Sequence, residues 1–259
     1  MNQEIESELS VIVPCLNEES HLPSFLRSLL HQHFNWDHAS FEPYPASEII
    51  MVDGGSHDDS LRLIDSFRNR MRIIGVLDET RNLGVVRNKG ALIARGKVLL
   101  FTNSDAILPP GFLDWIAEYF QDPELAALSG KTIPLDGGSV CSAAYCAFDL
   151  LRWGFSKLGR FSPSGNFLAV RASVFRAVGG FRELRINEDG ELGIRLSQYA
   201  RAHGMRVKFD LGLSAAHYSE RFREGALQTL MFYAYVFGNF SPFLRRILSP
   251  IERKSARMF

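Results

Sequence analysis

The stretch Phe101-Thr102-Asn103-Ser104-Asp105 is a short apolar strand that ends on an acid. A carboxylate at the C-terminal end of a strand can hold a divalent cation against a substrate diphosphate. Mg²⁺ and Mn²⁺ take hard oxygen ligands, and often only one or two carboxylates beside the phosphates. Before this strand, Arg81, Arg87, Lys89, Arg95 and Lys97 crowd one segment without a matching set of acids. Such a cluster suits a phosphate-rich ligand, and equally a solvated helix face. Farther on, Asn187-Glu188-Asp189 supplies a second acidic group, able to take the proton from an incoming hydroxyl. Together the two clusters imply metal-assisted transfer from a nucleotide-activated donor; neither does so alone.

The elements that must position these residues alternate in type. Val11-Ile12-Val13-Pro14 is a β-branched run closed by Pro, the profile of a buried strand. Leu22, Phe25, Leu26, Leu29 and Leu30 then recur at helical spacing. A second strand, Glu48 to Asp53, closes at Gly54-Gly55-Ser56, where Ser56 or Asp58 can cap a helix carrying Leu61, Ile64 and Phe67. Arg72 to Leu77 reads as a third strand, Val85 to Ala94 as a helix ended at Gly96 by a left-handed cap, and Val98 to Thr102 as a fourth strand. This alternation predicts an α/β fold: a mostly parallel sheet with helices on both faces. In open sheets of this type ligands bind at the carboxyl ends of strands, where Pro14, Asp53 and Asp105 all fall.

The second half is less regular. Pro109-Pro110-Gly111 opens a helix through Phe120, Ala126 to Ser129 is strand-like, and Phe167 to Val170 precedes a helix from Arg171 to Val178. Glu188 begins another helix, and Arg206 to Leu213 is a strand followed by His217. Residues 135 to 162, with Gly137-Gly138 and a helical patch around Tyr145 to Trp153, read as an irregular insertion over the sheet edge. Trp153 is a core residue or a platform for a sugar.

The ordered motifs resemble the family 2 nucleotide-sugar glycosyltransferases. The resemblance rests on Val11-Ile12-Val13-Pro14 with Asn17-Glu18-Glu19, Val52-Asp53-Gly54-Gly55-Ser56 with Asp58, and Arg81-Asn82-Leu83-Gly84. It continues through Arg87-Asn88-Lys89-Gly90, Ala94-Arg95-Gly96, Thr102-Asn103-Ser104-Asp105, Ser164-Gly165-Asn166, Val178-Gly179-Gly180-Phe181 and Asn187-Glu188-Asp189. It implies a GT-A fold, with a nucleotide-binding half at about 10–105, an acceptor-binding half at about 106–220 and a helical basic tail at about 221–259. It also implies a UDP- or GDP-type sugar donor held with Mg²⁺ or Mn²⁺, and inversion at the anomeric carbon.

Under this resemblance Pro14, Asn17, Glu18, Asp53, Arg81, Arg87, Asn103 and Ser104 face the nucleotide, with Arg87 near the diphosphate. Asp53 could accept a hydrogen bond from a base N–H, or merely cap the next helix; Glu18 could meet a ribose hydroxyl. Asp105 is the metal candidate, or a plain turn residue before Pro109. His217 could add a metal ligand or a phosphate contact. Asp189 is favoured as base, with Glu188 as the alternative, while Gly165, Asn166 and Glu191 shape the acceptor side. Asn103 departs from the common Asp-x-Asp pattern. A nucleotidyltransferase would show a Gly-rich phosphate loop where Pro14-Cys15-Leu16-Asn17 stands, and a non-catalytic scaffold has only Asn103 in its favour.

Composition agrees with this picture. The chain has 259 residues, 46% hydrophobic and 22% charged, and its formal net charge of zero gives no global pull toward nucleic acid. Cys15, Cys141 and Cys146 lack the paired spacing of a zinc site and read as reduced thiols. The polar, acidic start and the lack of a long apolar run lead to the expectation of a cytoplasmic protein. Leu227 to Phe243 is rich in aromatics and is followed by Arg245, Arg246, Arg253, Lys254 and Arg257. Such a segment either closes the fold or docks at the inner face of a membrane beside a lipid-linked acceptor.

Overall fold

The computed structural model describes residues 8–218 apart from 36, 38, 137, 185 and 186. The aromatic and basic tail expected at 221–259 therefore lies outside the described residues, as does Gly137. Ten strands and seven α-helices are described. In chain order they are β1 (Leu9–Cys15), α1 (Leu22–Ser28), β2 (His33–Asn35), β3 (Ser40–Glu42), β4 (Ser47–Asp53), α2 (Ser60–Phe67), β5 (Ile73–Leu77), α3 (Leu83–Ile93) and β6 (Val98–Thr102). Then come β7 (Ala106–Ile107), α4 (Phe112–Tyr119), β8 (Leu125–Pro134), α5 (Gly138–Lys157), β9 (Phe167–Arg171), α6 (Ala172–Ala177), α7 (Glu188–Ala202) and β10 (Arg206–His217).

Eight strands form one sheet in the order β5-β4-β1-β6-β9-β8-β10-β7. The first four run parallel, as do β8 and β10. β9 lies antiparallel to both β6 and β8 and so joins the two parallel halves. Adjacent residues of a strand face opposite sides, and here both sides are packed. Val11, Val13, Ile49, Met51 and Leu100 meet α1 and α4 on one face. Ile12, Ile50, Val52, Leu99 and Phe101 meet α3, α6 and α7 on the other. Burial on both faces explains why these strands read as continuous apolar runs rather than alternating ones.

Three local expectations are corrected. The segment 135–162 is dominated by one 20-residue helix, α5. Its inward positions Cys141, Tyr145, Asp149 and Arg152 have helical spacing, but half of them are polar, which hid the stripe. Asp149 accepts a hydrogen bond from the Thr132 N–H at 2.9 Å and pairs with Arg152 at 3.0 Å, and that pairing lets both be buried. Gly96 is not a left-handed cap: α3 ends on Ala94 in extended conformation. Gly96 is needed because a Cβ there would stand 2.6 Å from the Ser10 nitrogen. Finally, β10 runs on through His217, which ends the strand rather than following it.

Glu48 anchors the opposite end of the sheet from the strand tips discussed below. It is fully buried, accepting hydrogen bonds from the Ser10 hydroxyl and the Arg95 N–H, both at 2.6 Å. Its carboxylate also pairs with Arg72. Closer to the site, α3 lies against β1 because position 90 is Gly: a Cβ would come within 2.5 Å of Ile12 Cγ2 and 3.1 Å of Val52 Cγ2. Gly90→Ala is expected to cost about 1–3 kcal/mol of stability through overpacking, measured as a lowered denaturant midpoint. An unchanged midpoint would mean that α3 can shift off the sheet without loss.

Candidate active site

The carboxyl ends of β1 and β4 are tied by their own loops. Asn17, in left-handed conformation (φ 53°), donates its N–H to Ser56 Oγ and accepts from the His57 N–H through Oδ1. The Glu18 N–H donates to Ser60 Oγ, and Glu19 and Asp58–Asp59 exchange two more bonds. Asp53 is buried, and its carboxylate accepts from the Gly55 N–H, the Ser56 N–H and the Ser56 hydroxyl at 2.6–3.0 Å. Ser56 is thus spent on Asp53 rather than on capping α2. Asp58 serves that helix instead, accepting from the Ser60 N–H; burial opposes its ionisation, but the Ser60 hydroxyl and backbone N–H donors outweigh it and lower its pKa. With three of its roughly four acceptor positions used, Asp53 is fixed in orientation and retains room for one more donor.

The second cluster centres on Arg87. It stands on α3 and is only 2% exposed. One guanidinium nitrogen donates to Asp189 Oδ1 at 2.8 Å and Glu188 Oε1 at 3.2 Å. Another donates to Asn103 Oδ1 at 3.2 Å, and the guanidinium carbon lies 5.3 Å from the centre of the Phe181 ring. Asn103 turns its amide the other way to donate to the Gly165 carbonyl at 3.2 Å. An Asp at position 103 would have no hydrogen to give that carbonyl. The departure from Asp-x-Asp therefore has a structural reason: it links the β6 loop to the loop before β9.

α7 begins at Asn187 in left-handed conformation (φ 65°), and Glu188, Asp189 and Glu191 fall in its first turn, where the helix dipole favours acids. Gly190 permits this turn, since a Cβ would stand 2.2 Å from Asn187 Oδ1. Across from α7, the position a Gly165 Cβ would take is 3.8 Å from Asp189 Oδ2, so that oxygen faces the Gly165 loop. Asn166 is buried; its carbonyl accepts from the Thr102 hydroxyl at 2.8 Å, and its Nδ2 has no protein hydrogen-bond partner. Ser104 is buried between Asn103 and Asp105.

Asp105 and His217 are brought together by backbone pairing. His217 stands opposite Ala106 in the β10–β7 ladder, and the Tyr218 N–H donates to the Asp105 carbonyl at 3.3 Å. His217 packs edge-on against Tyr145, and burial pushes its pKa down to about 4. It is therefore neutral at pH 7, the form in which an imidazole can bind a metal. No group of three or more His, Cys, Asp or Glu side chains suited to a metal occurs among the described residues. If their side chains converge as their backbones do, this carboxylate and neutral imidazole could hold a Mg²⁺ or Mn²⁺ ion, whose other ligands would come from a diphosphate and water.

The structure thus gathers Arg87, Asn103, Gly165, Asn166, Glu188 and Asp189 directly, with Asp105 following on the Asn103 loop. Pro14, Asn17, Glu18 and Asp53 lie on the neighbouring strand ends. Two candidates do not join. Arg81 is exposed, in left-handed conformation, before the Asn82 that caps α3. Glu191 is held by Arg195, at 2.8 Å to its Nε, and by Arg182 at 3.1 Å. Sequence reasoning missed Asn88, whose side chain bonds both the N–H and the carbonyl of Phe181. The signal was present in Gly179-Gly180-Phe181: a Cβ on Gly180 would stand 2.6 Å from Asn88 Oδ1.

A sheet with this strand order and acids at its carboxyl edge defines the GT-A class of glycosyltransferase folds. The chain is similar in structure to a mannosyltransferase from Pyrobaculum calidifontis in complex with GDP-Man and Mn²⁺. The TM-score is 0.68 at 19% identity, covering 89% of this chain and 62% of that one. It is also similar to S. aureus TarS 1-349 in complex with UDP-GlcNAc, with a TM-score of 0.66 at 19% identity, covering 92% and 74%. The model of glycosyl transferase family 2 matches residues 10–140, and that of glycosyl transferase family group 2 matches residues 98–247. The chain belongs to glycosyl transferase family 2.

Among curated relatives, the O-antigen chain rhamnosyltransferase RfbN of Salmonella typhimurium is 28% identical over 187 residues, 68% of this chain and 56% of that protein. The O-antigen biosynthesis protein RfbC of Myxococcus xanthus is 27% identical over 221 residues, 77% of this chain and 16% of that protein. The chain therefore spans about half or less of the length of these relatives.

The partners of Arg87 differ from the diphosphate contact first expected, and the two roles separate experimentally. If Arg87 fixes Asp189, then Arg87→Lys and Arg87→Met should lower turnover by about 10²-fold, the scale of a misplaced catalytic group. UDP or GDP affinity, measured by calorimetry, should stay within a few-fold. An equal loss of nucleotide affinity would put Arg87 on the diphosphate.

Proposed function

We propose that the chain transfers a sugar from a nucleotide-diphosphate donor to a hydroxyl of a growing polysaccharide, by single displacement with inversion. The observation that carries this reading is the meeting of Asp189, Arg87 and Asn103 at the sheet edge where Asp53 and Asp105 also lie. The names of the O-antigen relatives support a glycan acceptor, and the nucleotide-sugar complexes of the structural neighbours support the donor class.

In this mechanism Asp53 accepts a hydrogen bond from the base, and the Asn17–Glu18 loop lines the ribose. Asp105 and His217 would hold the cation, which when bound would stabilise charge on the departing diphosphate. Asp189 Oδ2, facing Gly165, removes the acceptor proton as the acceptor oxygen bonds to the anomeric carbon. The bond from that carbon to the diphosphate oxygen breaks on the opposite side, and the nucleoside diphosphate leaves. Arg87 holds the other oxygen of Asp189, so the base keeps one orientation. Asn166 Nδ2 offers a buried donor to an acceptor or donor-sugar hydroxyl. A lipid-linked acceptor would bring the chain to the inner face of the cell membrane; among the described residues no helix is long and apolar enough to cross one.

The scaffold reading rested on Asn103, which instead has a bridging role here. Calorimetric titration of UDP and of GDP with Mn²⁺, and again with EDTA, should show metal-dependent binding of one nucleotide. Asp105→Ala should abolish it. Asp189→Asn should lower turnover by at least about 10²-fold, as expected for loss of a general base, and leave nucleotide binding intact. Failure of both nucleotides to bind would return the weight to the scaffold reading; equal loss of binding and turnover in Asp189→Asn would overturn the base assignment.

A further inference from the structure

A cleft of about 840 Å³ lies where β8 and β10 begin, between α4 and the end of α5. Its lining includes Leu125 and Arg206, the first residues of these parallel strands, whereas the candidate active site lies at their far ends, near Pro134 and His217. The ten residues of β8 separate the two by about 30 Å. The volume is in the range of a ligand site, and nothing in the proposed transfer step uses it.

The cleft is built rather than incidental. β10 slips its register between Asp210 and Ser214, so that the Leu211–Leu213 segment bulges out of the ladder, and bulges commonly re-aim side chains at sites. Gly130 admits the bulge, since a Cβ there would stand 2.5 Å from the Leu213 carbonyl oxygen. Asp210 pins it, accepting from the Tyr119 hydroxyl at 2.6 Å and the Gly212 N–H at 2.7 Å, and pairing with Lys208 at 2.8 Å. Burial opposes ionisation of Asp210, but these partners outweigh it and hold its pKa down at about 2.

The chemistry of the walls selects a ligand class. Trp115 is 42% exposed and lines the cleft, one helical turn from Tyr119, whose ring carries the Lys208 ammonium at 4.5 Å. Glu118, Asp122, Lys157 and Arg206 surround it. The charges are of both signs, and Arg206 pairs with Asp122, Lys208 with Asp210. Of the lining cations, Arg206 and Lys208 are thus neutralised and Lys157 lies over the Trp153 ring, so the walls concentrate no cluster of positive charge for an anion. They offer a flat aromatic face beside many donors and acceptors, which matches a neutral polyol with an apolar face. α5 runs back from the active-site end to this cleft over about 30 Å. Near its end Trp153, expected as a core residue, is 39% exposed under the Lys157 ammonium.

We propose that this cleft is a second carbohydrate-binding site, holding a non-reacting part of the glycan chain along α5. The identity of the glycan as acceptor or product rests on the transferase reading; sugar binding by the cleft does not. The test is saturation-transfer NMR and calorimetry on the full chain without donor, using neutral hexasaccharides of glucose, mannose, galactose and rhamnose. At least one should bind. Trp115→Ala should weaken it roughly ten-fold, the loss of one aromatic contact, and Trp115→Phe should restore part of the affinity. Asp189→Asn should bind as the wild type does.

With activity in hand, Trp115→Ala should raise KM for long acceptors and leave monosaccharide acceptors and nucleotide affinity unchanged. Failure of all four sugars to bind, binding indifferent to Trp115, or displacement of the sugar by inorganic phosphate would each overturn the proposal. Sugar binding through Trp115 in a chain that binds neither UDP nor GDP would overturn the transferase reading alone.

Discussion

One buried guanidinium holds the site together. Arg87 stands on α3 in the first half of the chain and reaches Glu188 and Asp189 on α7, about a hundred residues on, and Asn103 at the end of β6. Burying such a charge is costly unless it is paired, and removing one partner of a buried pair typically costs several kcal/mol because the other is stranded. The geometry of this pairing is therefore strongly enforced. α3 must lie close to the sheet, which Gly90 allows, and α7 must present its first turn inward, which Asn187 and Gly190 allow. The position of the candidate base follows from these constraints.

The same economy of polar groups runs through the molecule. Asp53 is oriented by its own turn, Glu48 is held by Ser10, Arg95 and Arg72, and Asp149 by Thr132 and Arg152. Each of these acids is buried because neighbouring donors make burial tolerable. Asn166 Nδ2 is buried in the same loop system as Gly165 without a protein acceptor. Such an unmet donor adds nothing to stability, and under the proposed function it serves binding.

Much of the first half was readable in advance. Strands buried on both faces leave continuous apolar runs, and Pro14, Asp53 and Asp105 mark their ends, so the alternation and the site edge follow from pattern alone. The second half resisted because its signals are polar or non-local. α5 is anchored by Asp149 and Arg152, which break an apolar stripe, and β9 enters antiparallel between strands that the alternation rule expects to run parallel. Gly96 looked like a helix cap because glycine after a helix usually is one; its actual constraint is Ser10, far away in sequence.

By itself the sequence determined which residue types stand at the strand ends, and hence the carboxylate chemistry available to this chain. Periodicity and turn residues act over a few positions, so they are legible locally. The tertiary structure alone decided what each side chain touches: that Arg87 meets Asp189, that Asn103 spans two loops, that Glu191 is held by Arg182 and Arg195, and that β10 bulges to open a second cleft. Those outcomes depend on a charge finding its partner across a packed interface. Such pairings are fixed by helices and strands meeting in three dimensions, and no spacing along the chain encodes them.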